Sequence, residues 1–331
     1  MAIKKSGKAP TMKDVAREAG VALGTVSKVF NNIPVGESYK KKVEDAAQRL
    51  GYRVNSYARG LRAEKTNTVA VVLPDLNHPF FARLADDICV ALTKQNYRMV
   101  LAVTKSDPNA EARCIRMIEQ NMADGVIGLT YSANLDVSED LPYVSIDRLL
   151  SPSIPCITSD NFGGGSMAAE KLVSLGCRKL LFLRSGSDVP GETDKRGAGF
   201  VTRCQLSGVD CTVQRYSDWQ GLEPVFNYLE AHCRDGALEY DGIFCSTDLL
   251  AYQVRRHLGK MGIRVPEDVQ IIGFDGIRRF GNEEYYCSTI VQPVQQIAET
   301  AVYILLHGAS EQFPGFMCLP VSYAAGGTTR E

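Results

Sequence analysis

No run of apolar residues in this 331-residue chain approaches the roughly 18 residues that a membrane-spanning helix requires. The basic, polar residues 1–8 are not followed by the apolar stretch of a secretory signal, so we expect a cytoplasmic protein. Histidine is scarce, with four widely separated residues, and no Cys-x-x-Cys pair occurs. We therefore expect no metal site, no redox dithiol and no cofactor.

Catalytic motifs are also scarce. The patterns GxxxxGK[ST], HExxH and GxSxG are absent, so kinase-like, zinc-protease and hydrolase functions have no support. Ten cysteines are present, but they are scattered through apolar segments, and we interpret them as buried, reduced thiols. The composition otherwise fits a folded globular protein, with 45% apolar and 23% charged residues. We expect a binding protein rather than an enzyme.

Charge is divided unevenly along the chain, although the formal net charge is only −1. Residues 1–65 carry 14 basic and 6 acidic residues, whereas the remainder carries 23 basic and 32 acidic residues. A basic head on an acidic body is typical of a nucleic-acid-binding segment. Because charge alone also fits a solvated tail, the residue pattern within the head must decide.

The first 54 residues have the pattern of three short helices. Thr11 and Asp14 have the spacing of a capping box, and Gly20 follows the first predicted helix. The second helix is predicted over residues 23–30 and the third over residues 38–50. Two helices joined by a short turn with glycine form the helix-turn-helix arrangement, whose second helix lies in the DNA major groove. An ordinary three-helix bundle with one polar face is the alternative.

A series of motifs resembles the LacI/GalR family of transcriptional regulators over essentially the whole chain. They are TMKDVAREAGVALGTVSKVFNN, LGYRVNSYARGLR, TNTVAVVLPDLNHPFF, VSIDR, SDNFGGGSMAAEKL, KRGAGF, FCSTDLLA, GFDG and QPVQQIAE, in that order. The sequence departs from the family pattern at Ala22, Lys28, Val54 and Thr247, where the family usually has Ser, Arg, Pro and Asn. The first two departures concern which DNA sequence is preferred, because lysine lacks the bidentate recognition of arginine.

The resemblance implies a sequence-specific DNA-binding regulator, and we expect a repressor that binds a pseudo-palindromic double-stranded operator as a homodimer. On the second helix, Thr25 and Ser27 suit phosphates or base edges, and Lys28 supplies a point charge. The full set of expected DNA contacts is Thr11, Leu23, Gly24, Thr25, Ser27, Lys28, Asn31, Tyr52, Asn55, Ala58 and Leu61.

Residues 55–66 are interpreted as a hinge, in which residues 55–62 are similar to the hinge helix of the family. The resemblance implies that Leu61 is a wedge inserted between base pairs in the minor groove. A helix of eight residues is marginal in water, and Gly60 weakens it by about 1 kcal/mol. We therefore expect the hinge to order only when two chains lie side by side on DNA. A flexible linker is the alternative interpretation.

Strand-like and helix-like segments alternate from residue 68 onward, which predicts an α/β body with parallel sheets and right-handed crossovers. The resemblance implies a two-lobed, periplasmic-binding-protein-like (type I) effector domain over residues 67–331. Lobe 1 is expected at about 67–161 and 292–320, and lobe 2 at about 162–291 and 321–331. No heptad-bearing extension follows, so we expect a dimer rather than a coiled-coil tetramer.

The predicted effector site lies between the two lobes, because ligands bind outside the carboxyl ends of parallel strands. Arg196, Trp219 and Asp275 each follow a predicted strand, and Arg196 and Asp275 also match family motifs. Arginine donors, an aspartate acceptor and an aromatic face suit a sugar or nucleoside-like effector. A buried ion pair with a core tryptophan is the alternative. Further candidates for this site are Asn77, Phe80, Asp147 and Asp248.

Two other functions remain open. Residues 163–168 satisfy G-x-G-x-x-G/A between a predicted strand and a predicted helix, the form of a dinucleotide fingerprint in an NAD-dependent oxidoreductase. Arg184 stands where an acid should end the next strand, so we interpret these glycines as a close turn instead. A sugar-binding transport receptor would require export, against which the missing signal and the basic head argue.

Overall fold

The structure is a computed structural model that describes residues 10–30, 33–52, 66–105, 107–117, 120, 122–132, 135–138, 141–279, 284–308 and 312–331. The chain divides into two compact units, with the boundary between Thr66 and Asn67. None of the helices among the described residues has both the length and the apolar character needed to cross a bilayer. The predicted hinge helix and four expected DNA contacts lie outside the described residues, the contacts being Asn31, Asn55, Ala58 and Leu61.

The first unit is built from α1 (Met12–Ala19), α2 (Leu23–Phe30) and α3 (Glu37–Leu50). Thr11 begins α1 with the predicted capping box, since its hydroxyl accepts from the N–H of Asp14 and the Asp14 carboxylate accepts from the N–H of Thr11. Helices α1 and α3 end at Gly20 and Gly51, both in the left-handed conformation that glycine adopts without strain. The three helices enclose a small apolar core of Val15, Ala16, Val26, Val29, Val43, Ala46 and Ala47.

The second unit alternates strands and helices along the chain. Its strands are β1 (Thr68–Leu73), β2 (Arg98–Val103), β3 (Gly125–Gly128), β4 (Tyr143–Ile146), β5 (Cys156–Ser159), β6 (Lys179–Gly186), β7 (Asp210–Ser217), β8 (Cys233–Arg234), β9 (Ala237–Leu238), β10 (Gly242–Cys245), β11 (Gln270–Asp275), β12 (Ser288–Val291), β13 (Phe316–Leu319) and β14 (Ser322–Ala324). Its helices are α4 (Pro79–Lys94), α5 (Pro108–Met117), α6 (Asn161–Ser174), α7 (Lys195–Leu206), α8 (Glu223–Ala231), α9 (Asp248–Lys260) and α10 (Val294–His307).

The strands form two six-stranded sheets and one short hairpin, β8–β9, within the described part of the chain. We call the part of the unit built on β13-β5-β4-β3-β1-β2, an entirely parallel sheet, lobe 1. Lobe 2 is built on β14-β12-β11-β10-β6-β7, in which only β14 is antiparallel to its neighbour. The chain passes between the lobes after β5, after β12 and after β13. The predicted α/β fold with parallel sheets is therefore confirmed.

The glycines 163–165 lie inside helix α6 rather than in the turn that we predicted. A Cβ at Gly165 would collide with the carbonyl oxygen of Arg196, and a Cβ at Gly199 would collide with the carbonyl oxygen of Phe162. Helices α6 and α7 therefore cross at a distance that only glycine permits. This close crossing explains the glycine pattern without a dinucleotide, and it fixes the start of α7, where Arg196 lies.

Candidate effector site and DNA-binding surface

A cavity of about 500 Å³ lies between lobe 1 and lobe 2, within the usual size range of small-molecule sites. Its wall is formed where strands of both parallel sheets end, as the strand-end rule predicts. From lobe 1 the polar and aromatic lining residues are Asp75, His78, Phe80, Phe81, Tyr131 and Asp147. From lobe 2 and the crossover after β12 they are Arg184, Ser185, Ser187, Thr193, Arg196, Ser246, Thr247, Gln253, Asp275 and Gln292.

Arg196 lies in the first turn of α7 and is only 4% exposed. Its Nε donates to Oδ1 of Asn161 at 2.7 Å, and its Nη1 donates to the carbonyl oxygen of Ser246 at 2.6 Å. The guanidinium lies 3.6 Å from the ring centre of Phe274 and, through Nη1, 3.8 Å from Oδ1 of Asp275. Burial lowers the pKa of Arg196, while neighbouring carboxylates oppose that shift. Since an arginine starts far above neutrality, the side chain remains a cation.

Asp275 ends β11 with a φ of 133°, a backbone conformation that residues with a side chain rarely adopt and that often marks functional sites. Its Oδ1 accepts from Nε2 of Gln292 at 2.7 Å. Its Oδ2 is buried and accepts no hydrogen bond from the described residues. Burial raises the pKa of Asp275, and the nearby His78 and Arg196 lower it. The carboxylate therefore presents an unused acceptor at the cavity wall.

Asp147 places a second buried carboxylate on the lobe 1 side of the cavity. It follows β4 with a φ of 55°, again in the left-handed region. Its Oδ1 accepts from the Thr158 hydroxyl at 2.7 Å. Burial raises the pKa of Asp147, whereas the Thr158 hydrogen bond and Arg196 lower it. Three of the predicted residues, Asp147, Arg196 and Asp275, are thus brought to one cavity, and Phe80 lines it as well.

Trp219 is not brought to the cavity. It lies in a short turn after β7, and its side chain is 79% exposed. The backbone turns at Gly221 with a φ of 67°, and Gly221 and Leu222 form the cavity wall in its place. The structure therefore corrects the prediction that Trp219 stacks on an effector, because this turn places Gly221 and Leu222 at the cavity wall instead.

Asp248 and Asn77 also lie outside the cavity lining. The Asp248 carboxylate is buried, accepting from the Thr289 hydroxyl at 2.6 Å and from the N–H of Ile277 at 2.7 Å. It therefore holds the loop after β11, and burial together with Asp275 raises the pKa of Asp248. The N–H of Asn77 donates to Oδ1 of Asp75 at 2.7 Å, in the loop before α4.

Several lining residues were not assigned to the site by the sequence. His78 caps the N-terminus of α4, where Nδ1 of its imidazole accepts from the N–H of Phe80 at 3.3 Å. The available signal was position, since each of these residues lies at or just beyond the carboxyl end of a parallel strand or at the start of a helix. The lining residues of this kind are His78, Tyr131, Arg184, Ser246 and Gln292.

Helix α2 of the first unit exposes Leu23, Gly24 and Lys28, with Thr25 and Ser27 partly exposed on the same helix. These are the five positions on α2 that the sequence predicts for DNA contact. The other two expected contacts among the described residues have structural partners as well. The Thr11 hydroxyl donates to Asp14 at 2.7 Å, and the ring of Tyr52 packs 5.4 Å from that of Phe30. Burial raises the pKa of Tyr52, which remains neutral at pH 7.

Residues 11–55 match the family model of bacterial regulatory proteins of the lacI family, and residues 169–328 match that of the periplasmic binding protein-like domain. The sucrose operon repressor of Streptococcus mutans is 30% identical over 319 residues, which cover 95% of this chain and 98% of that protein. The lac repressor dimer bound to operator and the anti-inducer ONPF superimposes with a TM-score of 0.81 at 22% identity, covering 97% and 99% of the two chains. The complex of the transcriptional regulator CelR with cellobiose gives a TM-score of 0.66 at 24% identity, covering 96% and 99%.

The head, the two-lobed body and the cavity define a transcriptional regulator rather than an enzyme. The chain belongs to the LacI family of bacterial regulatory proteins. The predicted family and helix-turn-helix head are therefore confirmed. The oxidoreductase and the transport receptor are set aside, because a relative that matches over nearly the whole chain is an operon repressor.

Proposed function

We propose that the protein is a homodimeric repressor whose affinity for a pseudo-palindromic operator is set by a sugar or sugar derivative in the cavity between the lobes. Residues 1–54 bind DNA, residues 55–66 form the hinge, and residues 67–331 bind the effector. The protein acts in the cytoplasm, where its operator lies, and it needs no cofactor besides the effector. The single observation that carries the proposal is the pairing of buried donors and acceptors in this cavity.

A sugar fits these groups because each hydroxyl both donates and accepts a hydrogen bond. Oδ2 of Asp275 is a buried acceptor to which none of the described residues donates, and Asp147 is a second acceptor across the cavity. Arg196 uses two of its five N–H donors on Asn161 and Ser246, which leaves donors for a ligand. The apolar C–H surface of a sugar ring would rest on aromatic side chains of lobe 1, of which Phe80 is one.

The first unit supports a role in reading DNA. We propose that α2 enters the major groove with Leu23, Gly24, Thr25, Ser27 and Lys28 toward base edges. Contacts from Thr11, Asn31, Tyr52, Asn55 and Ala58 would position the head, and Leu61 would open a minor-groove base step.

A dimer supplies the two heads that a pseudo-palindromic operator requires. Strand β2 is an edge of the lobe 1 sheet and exposes two apolar side chains, Val100 at 46% and Val103 at 40%. An exposed apolar edge strand can pair with other chains and aggregate, so proteins usually cover it. A second copy of the chain would cover it here. Analytical ultracentrifugation should therefore give the mass of a dimer.

The experiment that tests the function begins with selection of operator sequences by the full-length protein from random duplex DNA. Fluorescence anisotropy then compares an enriched duplex with a scrambled one, with and without each member of a sugar panel. We expect specific binding and, for the effector, a change in operator affinity of about 5- to 150-fold. Equal binding to enriched and scrambled DNA at low salt would contradict DNA recognition, and an operator affinity that no sugar alters would contradict the switch.

A further inference from the structure

Arg184 places a second buried arginine on the cavity wall, separate from the Arg196–Asp275 pair. It lies near the end of β6, is 8% exposed, and lines the cavity together with Ser187. Its Nε is 3.0 Å from Oδ1 of Asp194, and its Nη2 donates to the carbonyl oxygen of Ser187 at 3.0 Å. These contacts use two of the five N–H donors of the guanidinium, so further donors are available to a ligand.

The positive charge of Arg184 is only partly neutralised by its protein partner. Oδ1 of Asp194 also accepts from Nη2 of Arg215, so two guanidinium groups share one carboxylate. Arg215 is largely exposed and is not part of the cavity lining. Arg184 lines the cavity, whereas Arg215 does not. The two arginines and Asp194 together carry a net positive charge, and Arg184 presents it to the cavity.

Ser246 provides an independent observation beside Arg184. Strand β10 pairs with β6 so that Cys245 is opposite Leu183, and the N–H of Ser246 donates to the carbonyl oxygen of Leu183 at 2.9 Å. Ser246, just after β10, therefore lies beside Arg184 near the carboxyl ends of two neighbouring strands. The Ser246 hydroxyl is buried at the cavity wall, where it has no hydrogen-bond partner among the described residues. A buried hydroxyl group without a protein partner at a cavity wall can donate a hydrogen bond to a bound ligand.

The cavity thus differs in charge from one end to the other. In lobe 2, Asp275 ends β11 on one side of β10, and Arg184 lies near the end of β6 on the other side. Two strand spacings separate the backbones of Asp275 and Arg184 by roughly 10 Å. Arg196 also lies beside Asp275 and offsets its charge. An acceptor for hydroxyl groups is found at one end, and a cation with a hydroxyl donor at the other.

We infer that the effector carries an anionic group, either a phosphate monoester or a carboxylate, which Arg184 and Ser246 bind while its hydroxyl groups lie toward Asp275. The effector is then a sugar phosphate or a sugar acid rather than a neutral sugar. Charge-assisted hydrogen bonds from a buried guanidinium to such a group are short and strong, and arginine matches both anions in geometry. This inference rests on the proposed function for the nature of the remainder of the ligand.

Isothermal titration calorimetry on the full-length protein at constant ionic strength tests the inference. The probes are glucose, glucose 6-phosphate and glucuronate; fructose and fructose 6-phosphate; ribose and ribose 5-phosphate; and inorganic phosphate. At least one anionic probe should bind about tenfold or more tightly than its neutral parent. The phosphate and carboxylate arms show which anion the site takes. Arg184→Gln should remove the preference for the anion over its neutral parent, and Ser246→Ala should reduce it.

Arg203→Gln is the matched control, because it removes an arginine that pairs with Glu170 outside the cavity lining and leaves the pairing of Asp194 with Arg184 and Arg215 unchanged. The anionic preference should persist in it. If Arg184→Gln fails to fold, Arg184→Lys and Ser246→Ala are used instead. The lysine variant keeps the charge but loses the planar guanidinium, so it should lose part of the preference for the anion. The inference is overturned if neutral parents bind as tightly as the anions. It is also overturned if no anionic probe, inorganic phosphate included, binds the wild type more tightly than Arg184→Gln.

The outcomes separate this inference from the proposed function. A neutral sugar that binds tightest and changes operator affinity would overturn the anionic site and support the repressor. An anion that loses its affinity in Arg184→Gln, yet leaves operator affinity unchanged, would support the anionic site and contradict the switch.

Discussion

The Nε2 atom of His78 lies 3.8 Å from Oδ2 of Asp275, and the two residues belong to different lobes. The other carboxylate oxygen of Asp275 accepts from Gln292, whose own Oε1 accepts from the Ser159 hydroxyl of lobe 1 at 2.8 Å. The carboxylate that offers an acceptor to a ligand is therefore also part of the contact between lobes. A ligand that engages Asp275 changes this contact, which gives a physical route from the cavity to the angle between the lobes.

Asp275→Asn is predicted to uncouple the effector from DNA binding. The amide keeps the size of the side chain but loses the charge and one acceptor, so effector affinity should fall by about tenfold or more. Operator affinity without effector should stay near that of the wild type. Calorimetry and anisotropy on the same preparation measure both quantities. If the variant instead fails to fold, the Arg196–Asp275 pair serves the structure and not the ligand.

Arg196→Ala is predicted to destabilise the body by about 3–5 kcal/mol, because it removes one partner of a buried charge pair. It also leaves the carbonyl oxygen of Ser246 and the amide oxygen of Asn161 without their donor. Urea unfolding followed by circular dichroism measures the change. Arg203→Ala is the control on the same helix, since its more exposed pair with Glu170 should contribute no more than about 1 kcal/mol. Equal losses in the two variants would rule out a special role for the buried arginine.

The buried carboxylates predict that stability depends on pH. Burial raises the pKa of Asp147, Asp248 and Asp275 above their unfolded values, so the folded state binds more protons between those values. Their contribution to the free energy of unfolding should therefore increase as the pH falls from 8 toward about 5. Urea unfolding across this range measures the slope, and Asp248→Asn should make it shallower.

Asp268 supplies the control for this pH dependence. The Arg264 side chain and its N–H hold the pKa of Asp268 at about 2, below the range of the experiment. Asp268→Asn should therefore leave the slope between pH 5 and 8 as in the wild type. The account of the buried acids fails if Asp248→Asn and the wild type show the same slope.

Gly165→Ala is predicted to cost about 1–3 kcal/mol, because the added methyl group meets the backbone of Arg196 at the crossing of α6 and α7. The shift of that backbone should also weaken effector binding. Gly259→Ala, inside α9 with open space around it, should stabilise the protein by up to about 1 kcal/mol. Thermal unfolding of the two variants gives the comparison. Stabilisation by both substitutions would show that the crossing has room for a side chain.

Leu61→Ala is predicted to weaken specific operator binding while largely sparing binding to random DNA. The proposed wedge deforms a particular base step, whereas non-specific binding depends on phosphate contacts. Anisotropy on enriched and scrambled duplexes over a range of salt concentrations measures both. The slope of affinity against salt should not change, because no phosphate-binding cation is removed. Equal weakening on both duplexes would show that Leu61 is not a wedge.

The elements predicted best from the sequence are buried on all sides. Every side chain in β4 and β5 is buried, and the segments at residues 143–146 and 156–159, which hold only apolar residues, Ser and Thr, predict these two strands. No comparable pattern predicts β13 and β14, since they lie at sheet edges with mixed exposure and no clear period.

The residues of the site divide in the same way. Those signalled by the local sequence could be predicted, whereas those that depend on contacts between distant segments could not. Arg196 and Asp275 were assigned to the site by the strand-end rule, which depends only on the order of strands and loops, and by their match to family motifs. Asp147 was assigned by the family resemblance alone. Trp219 was misplaced because the turn at its position decides which side chain reaches the wall. The role of the glycines at 163–165 was also hidden, because it depends on a helix some 30 residues further along the chain.

The central claim is that one ligand couples the cavity to the operator, and reciprocity tests it most directly. Calorimetry should measure the affinity of the effector for the full-length protein alone and for the protein saturated with an enriched operator duplex. The account predicts that the two affinities differ by the same factor by which the effector changes operator affinity. An effector that binds the free and the operator-bound protein equally tightly would contradict it.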